Sequence, residues 1–218
     1  MSAVGSEARE RERMVARLRL RDPRIAAAMR AVRRRAFLPS ESAEYAYEDE
    51  PLALGYGEAT ISAPHMVALM MEAAALRAGD RVMEVGAGMG YLAAVAAELV
   101  GPAGHVFTIE VDPGLAGEAV RRLGTEGYAS RVTVFAQDGS VGLPELAPFD
   151  AVIVSCAAPE VLPAWQGQLR EGGRLVAPIG TAWEQVLVTF TRSGEHGLWH
   201  RGPACRFVPL RRAPTPHI

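Results

Sequence analysis

The residues of this 218-residue chain that could do chemistry begin with Glu84-Val85-Gly86-Ala87-Gly88-Met89-Gly90, which closes one apolar run, Arg81 to Val85, and opens an alanine-rich one, Tyr91 to Val100. A strand that runs into a glycine loop and then a helix brings backbone amides and a positive dipole end to the carboxyl edge of a sheet, where α/β folds bind nucleotides. Glycine runs also serve tight turns for steric reasons alone, so the spacing has to carry the argument. A dinucleotide fingerprint reads G-x-G-x-x-G; here the third glycine arrives one residue early and Glu84 precedes the first. The next apolar run ends in Ile109-Glu110, where a carboxylate can accept hydrogen bonds from both hydroxyls of a ribose, so adenosine is expected. The third leads into Gln137-Asp138-Gly139, with Asp138 placed to accept from an adenine amine, although Asp-Gly is also ordinary turn chemistry. Features of this kind at the carboxyl ends of three successive strands reinforce one another.

Composition removes several alternatives. All 23 basic residues are arginine, which excludes lysine nucleophiles, Schiff bases and a phosphate-binding Walker lysine. The five histidines lack metal-ligand spacing, so no metal is expected. Cys156 and Cys205 lie in apolar runs without CxxC spacing and read as buried, reduced thiols. A net charge of −2 provides no general attraction to nucleic acid. Eleven arginines between Arg9 and Arg35 alternate with Glu10, Glu12 and Asp22 and with apolar Met14, Val15, Leu18, Ile25 and Met29. That pattern reads as the solvated faces of amphipathic helices rather than as a basic patch for RNA or a membrane. No stretch of about 18 uncharged apolar residues occurs, and the opening MSAVGSEARERERM is charged where a secretory signal would be apolar, which predicts a cytoplasmic protein.

The elements that must position these residues follow a regular plan. Residues 7 to 36 predict two helices broken at Asp22-Pro23, with Asp22 as the cap of the second. Residues 40 to 64, with Tyr45, Tyr47 and Tyr56, have no clean period and predict a long ordered loop, the tyrosines anchoring it or lining a peptide groove. A helix from His65 to Leu76 precedes strand Arg81–Val85 and helix Tyr91–Val100. Then come strand His105–Glu110, helix Gly114–Glu126, strands Val132–Ala136 and Ala151–Ser155, helix Leu162–Leu169 and strand Arg174–Pro178. This alternation predicts an α/β fold: a Rossmann-like, doubly wound, mostly parallel sheet with an N-terminal helical appendage. Two last apolar runs, Gln185–Thr191 and Cys205–Leu210, predict an antiparallel pair at one edge. The chain divides into residues 1–64, helices and a covering loop, and a ligand-binding core over 65–218, within one domain overall.

The glycine loop with its acidic partners resembles the S-adenosylmethionine-dependent methyltransferase superfamily, whose first motif is E/D-x-G-x-G-x-G with an acidic residue closing the second strand. That resemblance implies S-adenosylmethionine as cofactor, with S-adenosylhomocysteine as product. Just ahead of it, Gly55-Tyr56-Gly57-Glu58-Ala59-Thr60-Ile61-Ser62-Ala63-Pro64-His65-Met66 resembles the signature loop of the protein-L-isoaspartate O-methyltransferase family. Further stretches agree in order: Glu48 to Leu52, Asp138 to Gly142 with Ala147 to Asp150, Ala157 to Pro159 with Gln168-Leu169 and Gly172 to Val176, and Phe207 to Leu210. The resemblance implies methylation of the free α-carboxylate of L-isoaspartyl residues in damaged proteins and peptides. The ester then collapses to a succinimide without enzyme help, and repeated cycles restore aspartate. It implies Ser62 as the catalytic residue, holding and orienting the carboxylate rather than attacking as a nucleophile, while Ser-x-x-His is also a helix-cap pattern. Ala59, Thr60, Ile61, Ser62, His65, Glu84, Gly86, Gly88, Glu110, Asp138 and Gly139 would line the cofactor side, Thr60 and Ile61 forming the wall toward substrate. His65 could equally be a packing residue.

The chemistry suits this inventory, because an α-carboxylate with a pKa of about 3.5 is ionised at neutral pH and needs no general base. Alignment and exclusion of water are what remain for the protein to supply. The sequence departs from the family pattern at Glu58, where glutamine is usual and where the loop is one residue longer, at Met89 for serine, and at Gln137 for glycine. Alternatives are a relative that methylates ordinary aspartate in a ribosomal peptide, disfavoured because the chain stops soon after Leu210, a non-catalytic adaptor for aged proteins, and a dehydrogenase, disfavoured by the early third glycine. A monomer acting on isoaspartyl-containing polypeptides, without nucleic acid or membrane as partner, is expected.

Overall fold

A computed structural model describes residues 3–194 and 196–212. The first two residues of the charged opening run, and the last six of the predicted core, lie outside the described residues. Seven strands form the central sheet: β3 (Arg81–Val85), β4 (His105–Glu110), β5 (Val132–Ala136), β6 (Phe149–Val154), β7 (Leu169–Gly180), β8 (Gln185–Thr191) and β9 (Leu198–Cys205). Their order is β5-β4-β3-β6-β7-β8-β9, parallel from β5 through β7 and antiparallel for the last two pairings. The chain lays down β3, β4 and β5 in one direction and then returns to place β6 on the other side of β3. The crevice between the carboxyl ends of β3 and β6 is therefore a topological switch point, where such sheets bind ligands.

Helices cover both faces. On one side α1 (Ala3–Leu18), α2 (Pro23–Ala31), α3 (Pro64–Ala74), α4 (Tyr91–Val100) and α5 (Pro113–Thr125) enclose one apolar cluster; on the other, Trp165 of the short α6 (Pro163–Gly167) packs with Phe149, Leu169 and Phe107. The alanines of α4 explain why it can be buried nearly all round: Ala93, Ala94, Ala96 and Ala97 expose none of their surface, so α2 comes close over it. Asp22 caps α2 by accepting the Arg24 amide, with Pro23 in the first turn, as its sequence predicts. The N-terminal helices thus share their core with α3 and α4.

Three expectations change. The predicted strand over Cys205–Leu210 is not the edge. β9 ends at Cys205, and Phe207 to Arg211 folds back over the sheet's carboxyl end, where Ala157 donates to the Val208 carbonyl and Leu210 donates to Ala157, both at 2.8 Å. Gly202-Pro203 hides Leu198–Cys205 as a strand in the sequence, yet proline is tolerated at a sheet edge, which is where β9 lies. The segment over residues 40–64 is less irregular than its sequence suggests: after a short 3-10 turn it forms a two-stranded ribbon, β1 (Leu52–Ala53) against β2 (Thr60–Ile61). Finally, most N-terminal arginines lie on solvated faces, as in the pairs Arg30 to Glu12 and Arg33 to Glu126, but Arg34 is completely buried. Of the cysteines, both free, Cys156 is buried and Cys205 half-buried.

Candidate active site

The glycine loop builds one wall of a cavity of about 940 Å³, the space at its open mouth included. Gly86, Gly88 and Gly90 all have positive φ, so the loop turns from β3 into α4 in a conformation that side chains resist. Gly90 answers to packing as well: a Cβ there would come within 2.9 Å of Leu123 on α5. The amides of Gly86 and Ala87 both donate to the Ile109 carbonyl, and Ser155 donates to Val85, which ties together the ends of β3, β4 and β6.

Two carboxyl groups look into this crevice. Glu110 is 6% exposed; it accepts the Gly88 amide at 3.0 Å and the Asp112 amide at 3.2 Å, which fixes its orientation. Burial raises its pKa against those two bonds. Glu84 is fully buried, receives the Thr108 hydroxyl at 2.6 Å and lies 3.5 Å from the Ser155 hydroxyl. Burial pushes its pKa up to about 8, so the carboxyl is held protonated at neutral pH until a cation joins it. Cys156 lines the same space, but burial lifts its thiol to about 12 and leaves it unreactive.

The opposite wall comes from the ribbon before α3. Glu58, Ala59, Thr60, Ile61 and Ser62 all line the cavity. Ser62 does not cap α3: the cap position is Ala63, without a side-chain bond, and the first-turn amide of His65 is taken by Asp49 at 2.8 Å. The cap role that the Ser-x-x-His pattern suggests is thus not taken up. The extended segment Val208 to Arg211 also lines the cavity, with the Arg211 guanidinium 3.7 Å from Glu110 and 3.9 Å from Asp112.

Of the residues singled out from sequence, the structure gathers Ala59, Thr60, Ile61, Ser62, Glu84, Gly86, Gly88, Glu110 and Gly139 around one space. It sets two apart. His65 is exposed, its ring nitrogen 2.9 Å from Asp49, and it does not line the cavity. Asp138 accepts the Ser140 amide at 2.8 Å, capping a short turn beside the cavity, and only its neighbour Gly139 reaches the lining. The tyrosines form no common groove: Tyr47 is buried with its hydroxyl on Glu7 at 2.7 Å, and Tyr45 is exposed. Sequence reasoning missed Tyr91, Ser155, Cys156 and Arg211 as lining residues. Ser155 and Cys156 were within reach, because they follow the strand beside β3 at the switch point; Tyr91 and Arg211 carried no signal.

The donor set says what could fit. Buried carboxyl groups, loop amides and apolar side chains suit a ligand offering hydroxyls, an adenine and positive charge, and Arg211 is the one cation among the described lining residues. No group of three or more potential metal-binding side chains occurs among the described residues, and none of the described helices is long and apolar enough to cross a membrane.

Comparison with known proteins places this geometry. The sequence model of the protein-L-isoaspartate(D-aspartate) O-methyltransferase family matches residues 9–214. A protein-L-isoaspartate O-methyltransferase of Hyperthermus butylicus is 47% identical over 214 residues, covering 94% of this chain and 88% of that one. A solved structure of the same name superposes with a TM-score of 0.85 at 33% identity, over 91% of this chain and 65% of that longer one. A Plasmodium falciparum structure, provisionally named as such an enzyme and holding S-adenosyl-L-homocysteine, gives a TM-score of 0.82 at 25% identity, over 92% of this chain and 98% of that one.

Proposed function

This chain belongs to the protein-L-isoaspartate(D-aspartate) O-methyltransferase family, and we propose that it transfers a methyl group from S-adenosylmethionine to the free α-carboxylate of L-isoaspartyl residues, the first step of their repair. The observation that carries this reading is the juxtaposition of Thr60-Ile61-Ser62 with the Glu84 and Glu110 crevice across one cavity. The cofactor supplies an electrophilic methyl on a sulfonium, and the acceptor carboxylate is already ionised, so the protein has to align rather than activate.

Each residue has a role consistent with its position. Glu110, oriented by the Gly88 and Asp112 amides, accepts the ribose hydroxyls. Glu84, buried beside Thr108, takes up positive charge on the cofactor, which returns its pKa toward the ordinary range. The backbone of Gly86 and Gly88 lets the ligand approach closely. Gly139 closes the adenine side, where Asp138, one residue outside the lining, holds the turn. Ser62 hydrogen-bonds the acceptor carboxylate and fixes its line of approach, while Ala59, Thr60 and Ile61 exclude water. His65 contributes by docking the start of α3 on Asp49 rather than by touching ligand. We read residues 1–64 as the covering part and 65–218 as the cofactor-binding core. We further read the protein as a cytoplasmic monomer without nucleic-acid or membrane partners, a reading supported by its net charge of −2 and checked by sedimentation and fractionation.

The test is methyl transfer from labelled S-adenosylmethionine to two peptides of one sequence, one with isoaspartate and one with aspartate. Base-labile label in the first alone is the expected result. Label in the aspartyl peptide, or in neither, contradicts the proposal.

A further inference from the structure

Arg34 is the largest departure of this structure from the behaviour of its residue type. The guanidinium is entirely buried, and its hydrogen bonds go to carbonyls rather than to a carboxylate. Nη1 donates to Ala46 at 2.6 Å; Nη2 donates to Glu50 and to Ser62, each at 3.1 Å. Nε is buried without a partner, and the group lies 5.7 Å from the ring centroid of Tyr91, itself a cavity-lining residue. A guanidinium in so dry a place is costly to the fold, and burial pulls its pKa below the ordinary value.

The three carbonyls locate the reason for tolerating that cost. Ala46 and Glu50 lie on the approach to the β1/β2 ribbon and Ser62 directly follows it, so the three carbonyls bracket the ribbon within one segment, 46 to 62. The ribbon is only two residues long on each side, too short to hold its own conformation. A planar fork with donors pointing in fixed directions can tie three such points together, and a lysine ammonium cannot match its geometry.

From this we infer that Arg34 is a positioning residue for the methyl-transfer site: by clamping the carbonyls of Ala46, Glu50 and Ser62, it sets the place of the Ser62 hydroxyl against the acceptor carboxylate. The inference rests on the proposed activity for what the clamp accomplishes, though the clamp itself can be measured without it. It also predicts a split. Cofactor binding depends on the sheet side of the cavity and should survive loss of Arg34, whereas acceptor alignment should not.

The test uses full-length Arg34→Met and Arg34→Lys, with Arg30→Met, whose side chain makes an exposed pair with Glu12, as a control. Turnover of the isoaspartyl peptide in Arg34→Met should fall about 10- to 100-fold, as for a small misplacement of a reacting pair. Affinity for S-adenosylhomocysteine should stay within about threefold, and Arg34→Lys should recover part of the turnover. Amide hydrogen exchange in Arg34→Met should speed up across residues 46–62 and stay unchanged across β3 and β4. Wild-type turnover in Arg34→Met, or equal losses of turnover and S-adenosylhomocysteine affinity with faster exchange throughout the chain, overturns the inference. If the wild type itself methylates neither peptide, the proposed activity falls, and exchange confined to 46–62 with retained affinity still upholds the clamp while its absence rejects it.

Discussion

The two walls of the cavity are built by different physics. The floor at the carboxyl ends of β3, β4 and β6 is part of the sheet: its glycine loop, Glu84 and Glu110 are held by ladder register and backbone amides that the fold itself fixes. The facing wall, residues 46 to 62, has almost no ladder of its own and depends on side-chain contacts with the rest of the fold: Arg34 reaches in to its carbonyls, and its own Asp49 reaches out to the His65 amide on α3. Damage to the floor should therefore appear as lost stability or lost cofactor affinity, and damage to the wall as lost turnover.

The strongest test of that division is Trp165→Ala. Trp165 is fully buried, and its indole donates to the Gly139 carbonyl at 2.8 Å, so the variant leaves a cavity and an unpaired acceptor beneath the floor. A stability loss of about 3–5 kcal/mol is expected in denaturant titrations. Next comes pH. Folded Glu84 keeps its proton to about pH 8, whereas the unfolded chain releases it around the ordinary 4.5. Its contribution to stability is thus complete below 4.5 and disappears as pH rises through 8, a slope of about 1.4 kcal/mol per pH unit between those values. Thermal unfolding between pH 5.5 and 7.5 should show Glu84→Gln flattening that slope; an unchanged slope means that water reaches Glu84 in the folded protein.

Smaller effects separate the walls directly. Glu110→Ala should weaken S-adenosylhomocysteine binding by about 1.5–3 kcal/mol, the range for hydrogen bonds to a charged group, as calorimetry would read. Ser62→Ala should reduce turnover of the isoaspartyl peptide by roughly tenfold, or about 1.4 kcal/mol, with cofactor affinity nearly unchanged. A Ser62→Ala variant that loses cofactor affinity but not turnover would assign that residue to the floor.

The same division explains what could be read in the sequence. β3, α4, β4 and β5 carry clean periodicity and the ends that matter are marked by glycine and acid, so Glu84, Gly86, Gly88 and Glu110 could be named and grouped without coordinates. Ser62 was reachable only through resemblance, since nothing in a Thr-Ile-Ser run states which way a serine faces. Arg34 was not reachable at all: among eleven arginines in one amphipathic stretch, periodicity assigns every one to solvent, and only a tertiary contact with three distant carbonyls turns one inward. Arg211 was obscured for a related reason, the segment before it being apolar enough to resemble an edge strand when it actually pairs with Ala157 and lines the cavity.

The arrangement of donor, acceptor and Ser62 is tested most directly by a crystal structure of the protein with S-adenosylhomocysteine and a short isoaspartyl peptide together. Ribose hydroxyls on Glu110, and the peptide's α-carboxylate within hydrogen-bonding distance of Ser62 and facing the sulfur, are the expected result. A carboxylate seated away from Ser62, or S-adenosylhomocysteine bound outside the β3/β6 crevice, is the contradicting result.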